Sequence, residues 1–414
     1  GLAAHPQDSP VWAIDRDLTG LFGHGGLSSA RHGFAKRTPG APSDPDTCKG
    51  DFFDVVLAAT GLHRELTSSE ASNFRDVFLA TFPAVDCEHE AFWLTALKQM
   101  EHVKPVMTDA KAQWVNKNGL GFKVAPSKTT KGEFKAMLGR TPLPAKGFRN
   151  IYKRHKVLAA LRAPMLHKLV RHLKLPQSFD SRDKWPHCRD VIGAIYNQGH
   201  CGSCWVFGAL GPLDSRLCIA DANFSGPEAS LSRGFAASCA TKYDGCAGGW
   251  EYYVYEYVKT HQGIPTASCS PYFAHGKGTE HFQKSQRSPP CPTQCIADYG
   301  RALDKDAFKP TGVSHYRLVP HPKLHDIHFV KAQILKGGPV SFGIFADSLF
   351  LGYTSGVFTK NCGSGYGNHA VHTIGWGVED ETKYFLGQNS WGTDWGEAGR
   401  FKIAECGPTD FTIP

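Results

Sequence analysis

Asn197-Gln198-Gly199-His200-Cys201-Gly202-Ser203-Cys204-Trp205-Val206-Phe207 is the stretch on which the reading of this chain turns. Downstream of Cys204, Phe207, Leu210, Leu213 and Leu217 recur at helical spacing, which predicts a helix over 204–218 with one apolar face. A thiol at the start of that helix meets the positive end of the helix dipole, which favours the thiolate. Glycine and serine just before Cys204 leave room for a substrate backbone to approach. These features make Cys204 a candidate nucleophile. The competing reading takes Cys201 and Cys204 as a redox or zinc C-x-x-C pair. It finds no second pair at metal spacing and no thioredoxin-like unit around it.

At 414 residues the chain is too long for one ordinary core and implies two or three folding units. An apolar content of 41% with 20% charged residues describes a globular protein, and no apolar run is long enough to span a membrane. The chain opens at Gly1 with no leader-like segment, so a secretory signal peptide would already be absent from this numbering. Thirteen cysteines point to an oxidising compartment, and the odd count leaves one thiol outside any pairing. Asn223-Phe224-Ser225 is a glycosylation sequon on the same route. The net charge of +8 is uneven. Residues 1–174 hold 25 Lys+Arg against 16 Asp+Glu, whereas 175–414 hold 21 against 22. The second part carries no basic stripe interleaved with aromatics, which argues against nucleic-acid binding.

In chain order, residues 1–47 are rich in Gly, Pro, Ser, Ala and His and read as a flexible arm. Residues 48–103 read as a small helical subdomain. Phe52, Phe53, Val56 and Leu57, then Phe78, Leu79 and Phe82, then Phe92, Leu94, Leu97 and Met100 recur at helical spacing. Ser68-Ser69-Glu70 marks a helix start, and Cys48 with Cys87 flank the piece in position for one bridge. Within 104–174, Asn118-Gly119 predicts a turn and 131–139 a short helix closed by glycine. Residues 146–174 carry nine Lys or Arg and no acid, an exposed linker suited to proteolytic trimming. From Leu175 to 414 the text is denser in Cys, Gly and Trp. Its helical first part gives way after about 310 to short strands at 340–345, 370–375, 384–387 and 400–403. A helical half followed by a strand-rich half predicts an α+β unit with a cleft between the two.

A thiolate nucleophile needs a base that can also protonate a leaving amine, and histidine suits that role near neutral pH. Of twenty histidines, His369 stands out because Gly367-Asn368-His369-Ala370-Val371 opens a strand ending in Gly375-Trp376-Gly377. His372 would face the other way on that strand. Asn389, in Gln388-Asn389-Ser390-Trp391-Gly392, fits the role of orienting the imidazole, with Trp391 shielding the bond. Gln198 can offer its amide to an oxyanion alongside the Cys204 backbone N–H.

Gln198 through Trp205, His369 with its Gly-Trp-Gly strand, and Asn389-Ser390-Trp391-Gly392 resemble the papain family of cysteine proteases, whose known signature includes C-G-S-C-W. Leu175-Pro176 with Phe179-Asp180, Trp185-Pro186-His187-Cys188 and Thr393-Asp394-Trp395-Gly396 resemble its cathepsin B branch. The resemblance covers roughly 104–414 and leaves 1–103 outside. It implies a papain-like fold with a helical left subdomain and a β-barrel-like right subdomain, preceded by an inhibitory prosegment at 104–174. It further implies a zymogen that cleaves peptide bonds through Cys204, His369, Asn389 and Gln198. Gly248, Gly249, Trp250, Gly343, Ala370, Trp391 and Phe411 would line the substrate site. The implied disulfides are Cys188–Cys218, Cys201–Cys246, Cys239–Cys291, Cys269–Cys295 and Cys362–Cys406. With Cys48–Cys87, Cys204 is left free. The expected partners are protein and peptide substrates and the chain's own prosegment. The implied protein is a monomer with no cofactor and no metal, located in a lysosome-like compartment or outside the cell.

Two departures bear on specificity. Cathepsin B carries adjacent histidines in an extra disulfide-closed loop, which hold a substrate's C-terminal carboxylate. Here the stretch between Cys269 and Cys291 has no cysteine, and His275 and His281 are apart, so mainly endopeptidase activity is expected. Phe411 falls near the acidic residue at the base of the cathepsin B specificity pocket, so an apolar preference is expected there. Pro212 lies inside the predicted helix, where an interior proline costs roughly 3 kcal/mol unless something compensates. A catalytically dead binding protein is the alternative reading. Against it, Gln198, Cys204, His369 and Asn389 are all present.

Overall fold

The computed structural model describes residues 53–54, 56–57, 62, 66–81, 90–141, 173–241, 244–261, 263–273, 287–308, 316–318, 324–362 and 367–414. The arm at 1–47, Cys48, Cys87, the basic run from 146 to 172, and His275 and His281 lie outside them. The chain divides into two compact units between Lys135 and Ala136.

In the first unit, α1 (Ser68–Thr81) begins with a reciprocal capping box. The Thr67 Oγ1 accepts the Glu70 N–H at 3.2 Å, and the Glu70 carboxylate accepts the Thr67 N–H at 2.9 Å. Phe74 and Phe78 of α1 meet Ala96, Leu97, Met100 and Val103 of α2 (Glu90–Val103) in a small core with Phe53, Val56 and Leu62. Strand β1 (Pro105–Met107) pairs antiparallel with β3 (Ser127–Thr130), with α3 (Asp109–Lys117) and β2 (Phe122–Val124) between them in sequence. α3 is capped by Asn118, and Gly119 takes φ +61°, the left-handed turn that Asn-Gly foretold. A second capping box, Thr130 with Glu133, starts α4 (Lys131–Met137).

The second unit is α+β. Its central helix α5 (Cys204–Ala220) is buried along most of its length. It packs with α6 (Arg233–Cys239) and α7 (Glu251–Thr260) around Trp205, Leu210, Phe235, Val254 and Tyr255. After α8 (Leu324–Gly337) the sheet takes over. Strand β8 (His369–Glu379) is its spine, flanked antiparallel by β6 (Val340–Ile344) and β9 (Thr382–Gln388). The path runs β7 (Tyr353–Phe358), β10 (Arg400–Ala404), β9, β8, β6, β11 (Asp410–Ile413), β5 (Tyr316–Leu318). Only the β7–β10 pairing in that path is parallel. The path is open rather than a closed barrel among the described residues. β4 (Phe179–Asp180) adds to β8, with Phe179 stacked on Trp376 at 4.8 Å.

Pro212 is explained by the contact of α5 with this sheet. The helix runs on through it, and the missing Pro212 N–H would leave the Gly208 carbonyl without its helical donor. Ser341 of β6 supplies one instead, its Oγ donating to Gly208 O at 2.7 Å. The Tyr255 hydroxyl bridges Ser341 Oγ at 2.9 Å and the Ala209 carbonyl at 3.1 Å. The approach is close because α5 turns glycines to β8. A Cβ at Gly208 would lie 3.2 Å from the Ala370 Cβ, and one at Gly211 would lie 2.5 Å from the His372 ring. Ala370 and His372 thus face the helix, which puts His369 on the opposite face of the strand.

Five disulfides fasten the unit: Cys188–Cys218, Cys201–Cys246, Cys239–Cys291, Cys269–Cys295 and Cys362–Cys406. Among the described residues Cys204 is the free cysteine. None of the described helices is long and apolar enough to cross a membrane. Asn223 is exposed.

Candidate active site

Cys204 is the first residue of α5 and is fully buried. The loop before it is pinned from three sides. Cys201 is bridged to Cys246, the Gly202 N–H donates to Cys246 O at 3.0 Å, and the Ser203 hydroxyl bonds the Tyr272 hydroxyl at 2.7 Å. The same Tyr272 hydroxyl donates to Gln198 O at 2.8 Å. Tyr272 did not emerge from the sequence, because nothing local links it to a loop seventy residues earlier.

On the sheet side, His369 Nε2 lies 2.8 Å from Asn389 Oδ1. That oxygen also accepts the Ser390 N–H at 2.8 Å, so it is an acceptor and Nε2 carries the proton. The buried Nδ1 then presents a lone pair, and it has no hydrogen-bond partner among the described residues. Trp391 packs on the His369 ring at 4.8 Å, with Trp395 edge-on to it at 5.2 Å. His372 belongs elsewhere, bonded to Gln388 Oε1 at 2.6 Å beneath α5.

The cleft holds the chain's own residues 136–141. Gln198 Nε2 donates to Met137 O at 2.9 Å and to Cys201 O at 2.8 Å, while Ser390 Oγ donates to Gln198 Oε1 at 2.6 Å. The Gly249 N–H donates to Gly139 O at 2.8 Å, and the Arg140 N–H donates to Asn368 O at 3.0 Å. Gly139 passes so close to the loop before Cys204 that a Cβ would sit 1.7 Å from Gly202 O. Gly248, at φ +110°, likewise has no room for a side chain, because Thr141 lies over it.

Occupation sets the charge state. Burial pushes the Cys204 thiol up to about 12, against backbone N–H bonds from Ala370 and Gly139 that pull it down. Burial holds His369 down at about 4, opposed by its Asn389 bond and reinforced by the Arg140 charge. Burial thus favours the neutral thiol and the neutral imidazole while the segment covers them.

The pocket beside the thiol departs from expectation. Phe411 is fully buried among Phe342 and Phe385 and does not line it. Its neighbour Asp410 does, holding Arg140 with Nη1–Oδ1 at 2.6 Å and Nη2–Oδ2 at 2.7 Å. A shift of one residue along β11 exchanges an apolar wall for a carboxylate. Gly343 is in the pocket, where a Cβ would strike the guanidinium. The one described group at metal-binding spacing, His187 with Cys188 and Cys218, has both sulfurs joined to each other.

The model of the papain family of cysteine proteases matches residues 175–410. The chain belongs to that family. A cathepsin B-like cysteine proteinase of Schistosoma japonicum is 36% identical over 248 residues, which cover 56% of this chain and 69% of that protein. The cathepsin B-like cysteine proteinase 6 of Caenorhabditis elegans is 35% identical over 57% of this chain and 65% of its own length. The cathepsin B-like protease 1 of Arabidopsis thaliana is 33% identical over 75% and 81%. Among solved structures, proCathepsin B S9 from Trypanosoma congolense shares the papain-family fold at TM-score 0.54 and 23% identity, covering 74% of this chain and 98% of that one.

Proposed function

We propose that this chain is the zymogen of a cathepsin B-like cysteine endopeptidase. The observation that carries the reading is residues 136–141 lying over Cys204, with the Met137 carbonyl accepting from Gln198 Nε2. A carbonyl at that donor stands where the oxygen of a scissile peptide would sit and take up negative charge.

With the segment gone, the loss of burial lowers the Cys204 thiol and raises His369 towards ordinary values, so the proton passes from sulfur to Nδ1. The Cys204 Sγ bonds to the scissile carbonyl carbon. Its oxygen gains charge against Gln198 Nε2 and the Cys204 N–H. The C–N bond breaks, and the amine leaves with the proton from His369 Nδ1. Water then attacks the thioester, losing a proton to His369, and the carboxylic acid departs as the thiolate is restored. Asn389 keeps the proton on Nε2 throughout. Gly248, Gly249 and Asn368 pair with the substrate backbone in place of Gly139 and Arg140. His275 and His281 are not adjacent, which favours internal cleavage over removal of C-terminal dipeptides. Trimming in the basic run 146–174 releases the prosegment, and the cysteine content fits an acidic organelle or the extracellular space.

The test is labelling with an epoxide that traps reactive cysteines, before and after acid incubation, in wild type and Cys204→Ala. Label confined to the processed wild type, with concurrent peptide cleavage, is expected. Label on Cys204→Ala refutes the nucleophile. A processed wild type that neither labels nor cleaves makes the chain an inactive binding protein.

A further inference from the structure

Gln198 is carried by a loop and Cys204 by a helix, so the two depend on different supports. Cys204 opens α5, whose Gly208 and Gly211 lie against β8, and the place of the thiol follows from that packing. Gln198 lies outside any helix or strand, and Gly199 after it takes φ +65°. A glycine admits other conformations at little cost, so the peptide joining 198 to 199 needs partners to hold its direction.

Those partners come from two sides. The Gln198 N–H donates to Ser390 O at 2.8 Å, and the Gly199 N–H donates to Asn197 Oδ1 at 3.0 Å. The Gln198 carbonyl points opposite to that Gly199 N–H across a trans peptide, and it accepts from the Tyr272 hydroxyl at 2.8 Å. A phenol has one hydrogen, and Tyr272 gives it to Gln198 O. The Ser203 hydroxyl must then donate to the Tyr272 oxygen across their 2.7 Å contact. The relay from Ser203 through Tyr272 to Gln198 therefore has a fixed direction, and each bond polarises the next. Gln198 and Ser203 are fully buried, so bulk water does not replace a lost partner at either.

Tyr272 is itself held firmly. Its ring meets Phe207 of α5 edge-on at 5.1 Å. α6 presses on the residue before it, since a Cβ on Gly234 would lie 2.5 Å from Pro271 O. The Ser232 hydroxyl donates to the Ser270 carbonyl, and the Cys269–Cys295 bridge fastens the same stretch. Burial raises the phenol above its ordinary value against the Ser203 bond, with the Cys204 charge adding to the rise, so the hydroxyl stays a donor.

We propose that Tyr272 is a positioning residue for the oxyanion donor: its hydroxyl fixes the 198–199 peptide, and through it the Gln198 amide, while leaving the reactivity of the thiol to α5 and His369. This deepens the peptidase reading and rests on it. Gln198 Nε2 has to meet the scissile oxygen as that oxygen gains charge, and a small misplacement of such a donor is felt in the rate rather than in substrate binding.

The experiment uses the processed enzyme, normalised by epoxide titration, and compares two rates. Hydrolysis of a fluorogenic peptide amide passes through the oxyanion, whereas alkylation by iodoacetamide displaces iodide from carbon and reads the thiolate alone. Tyr272→Phe is expected to lower kcat about tenfold to thirtyfold, less than the roughly hundredfold or more for loss of the donor itself in Gln198→Ala. KM, the alkylation rate and its pH profile should stay within about twofold of wild type. In a Gln198→Ala background, Tyr272→Phe should cost no more than about a further twofold, because its effect passes through Gln198. If Tyr272→Phe fails to mature, Ser203→Ala carries the same comparison, with kcat about threefold lower, near the lower end for one neutral hydrogen bond, and alkylation unchanged. An unchanged kcat in the variant that matures overturns the proposal. So does alkylation that falls in step with kcat, or a full loss on top of Gln198→Ala. Wild type that labels and cleaves while Tyr272→Phe shows either of these results sinks this positioning role alone. Wild type that neither labels nor cleaves removes the peptidase reading and this role together.

Discussion

Substituting Ser341 by Ala removes the donor that satisfies the Gly208 carbonyl opposite Pro212. The acceptor is left buried in the α5–β6 interface, and a buried group stripped of its partner costs about 1–3 kcal/mol. The Tyr255 hydroxyl keeps the Ala209 carbonyl, so a value near 2 kcal/mol is expected. In a Pro212→Ala background the new backbone N–H reaches Gly208 O by ordinary helix geometry, and the same serine deletion should cost about 0.5–1 kcal/mol. The coupling between the two sites is therefore about 1–2 kcal/mol. For a domain of this size that is roughly 2–4 °C of Tm per kcal/mol. The cycle is measured by urea and thermal unfolding of the four proteins in a Cys204→Ala background, which prevents self-cleavage. A coupling within about 0.5 kcal/mol of zero, the range of independent sites, would refute the view that Ser341 stands in for the proline's missing hydrogen.

The occluded Cys204→Ala zymogen should lose stability as pH falls from about 6.5 to about 4, because His369 and His372 are both held near 4 by burial while the unfolded chain protonates at its ordinary value. Asp214, raised to about 6 by burial against its Arg233 pairing, contributes the opposite sign over the lower part of that window. Two histidines against one aspartate leave a net loss, and Tm against pH for His372→Gln should slope less steeply. An unchanged slope would exclude His372 from the effect. Gly139→Ala forces the segment away from Gly202, so epoxide labelling of Cys204 in the uncut zymogen should accelerate at least about tenfold. The two-residue turn joining β8 to β9 places Asp380 at φ 45° and Glu381 at φ 61°, both left-handed. Replacement by Asn-Gly, the residues such a turn favours, should raise stability by about 0.5–1 kcal/mol in the same unfolding assay.

Much of the molecule is written locally. The apolar spacing after Cys204, the strands at 340–345 and 370–375, the turn at Asn118-Gly119 and the odd cysteine are legible because each depends on neighbours a few residues apart. The helix start near Ser68 was placed only to within a residue, since the capping box belongs to Thr67 and Glu70. Motif resemblance then pointed to Cys204, His369, Asn389 and Gln198 as one set. Tertiary structure decided which side chains line the pocket. Phe411 and Asp410 are adjacent in sequence, yet they face a core and a cation, and only the register of β11 against β6 tells them apart. Glu251 reads as an ordinary first-turn acid until the fold brings Arg140 to it across 111 residues. Pro212 reads as a defect until Ser341, 133 residues beyond the carbonyl it serves, supplies the missing hydrogen. Partners so far apart leave no period or spacing in a sequence, because the chain between them sets the distance only after it has folded. The chain by itself determined that an unpaired thiol stands at the head of a helix with an apolar face. The fold determined which of its own residues covers that thiol and which side chain the covering segment lends to the pocket.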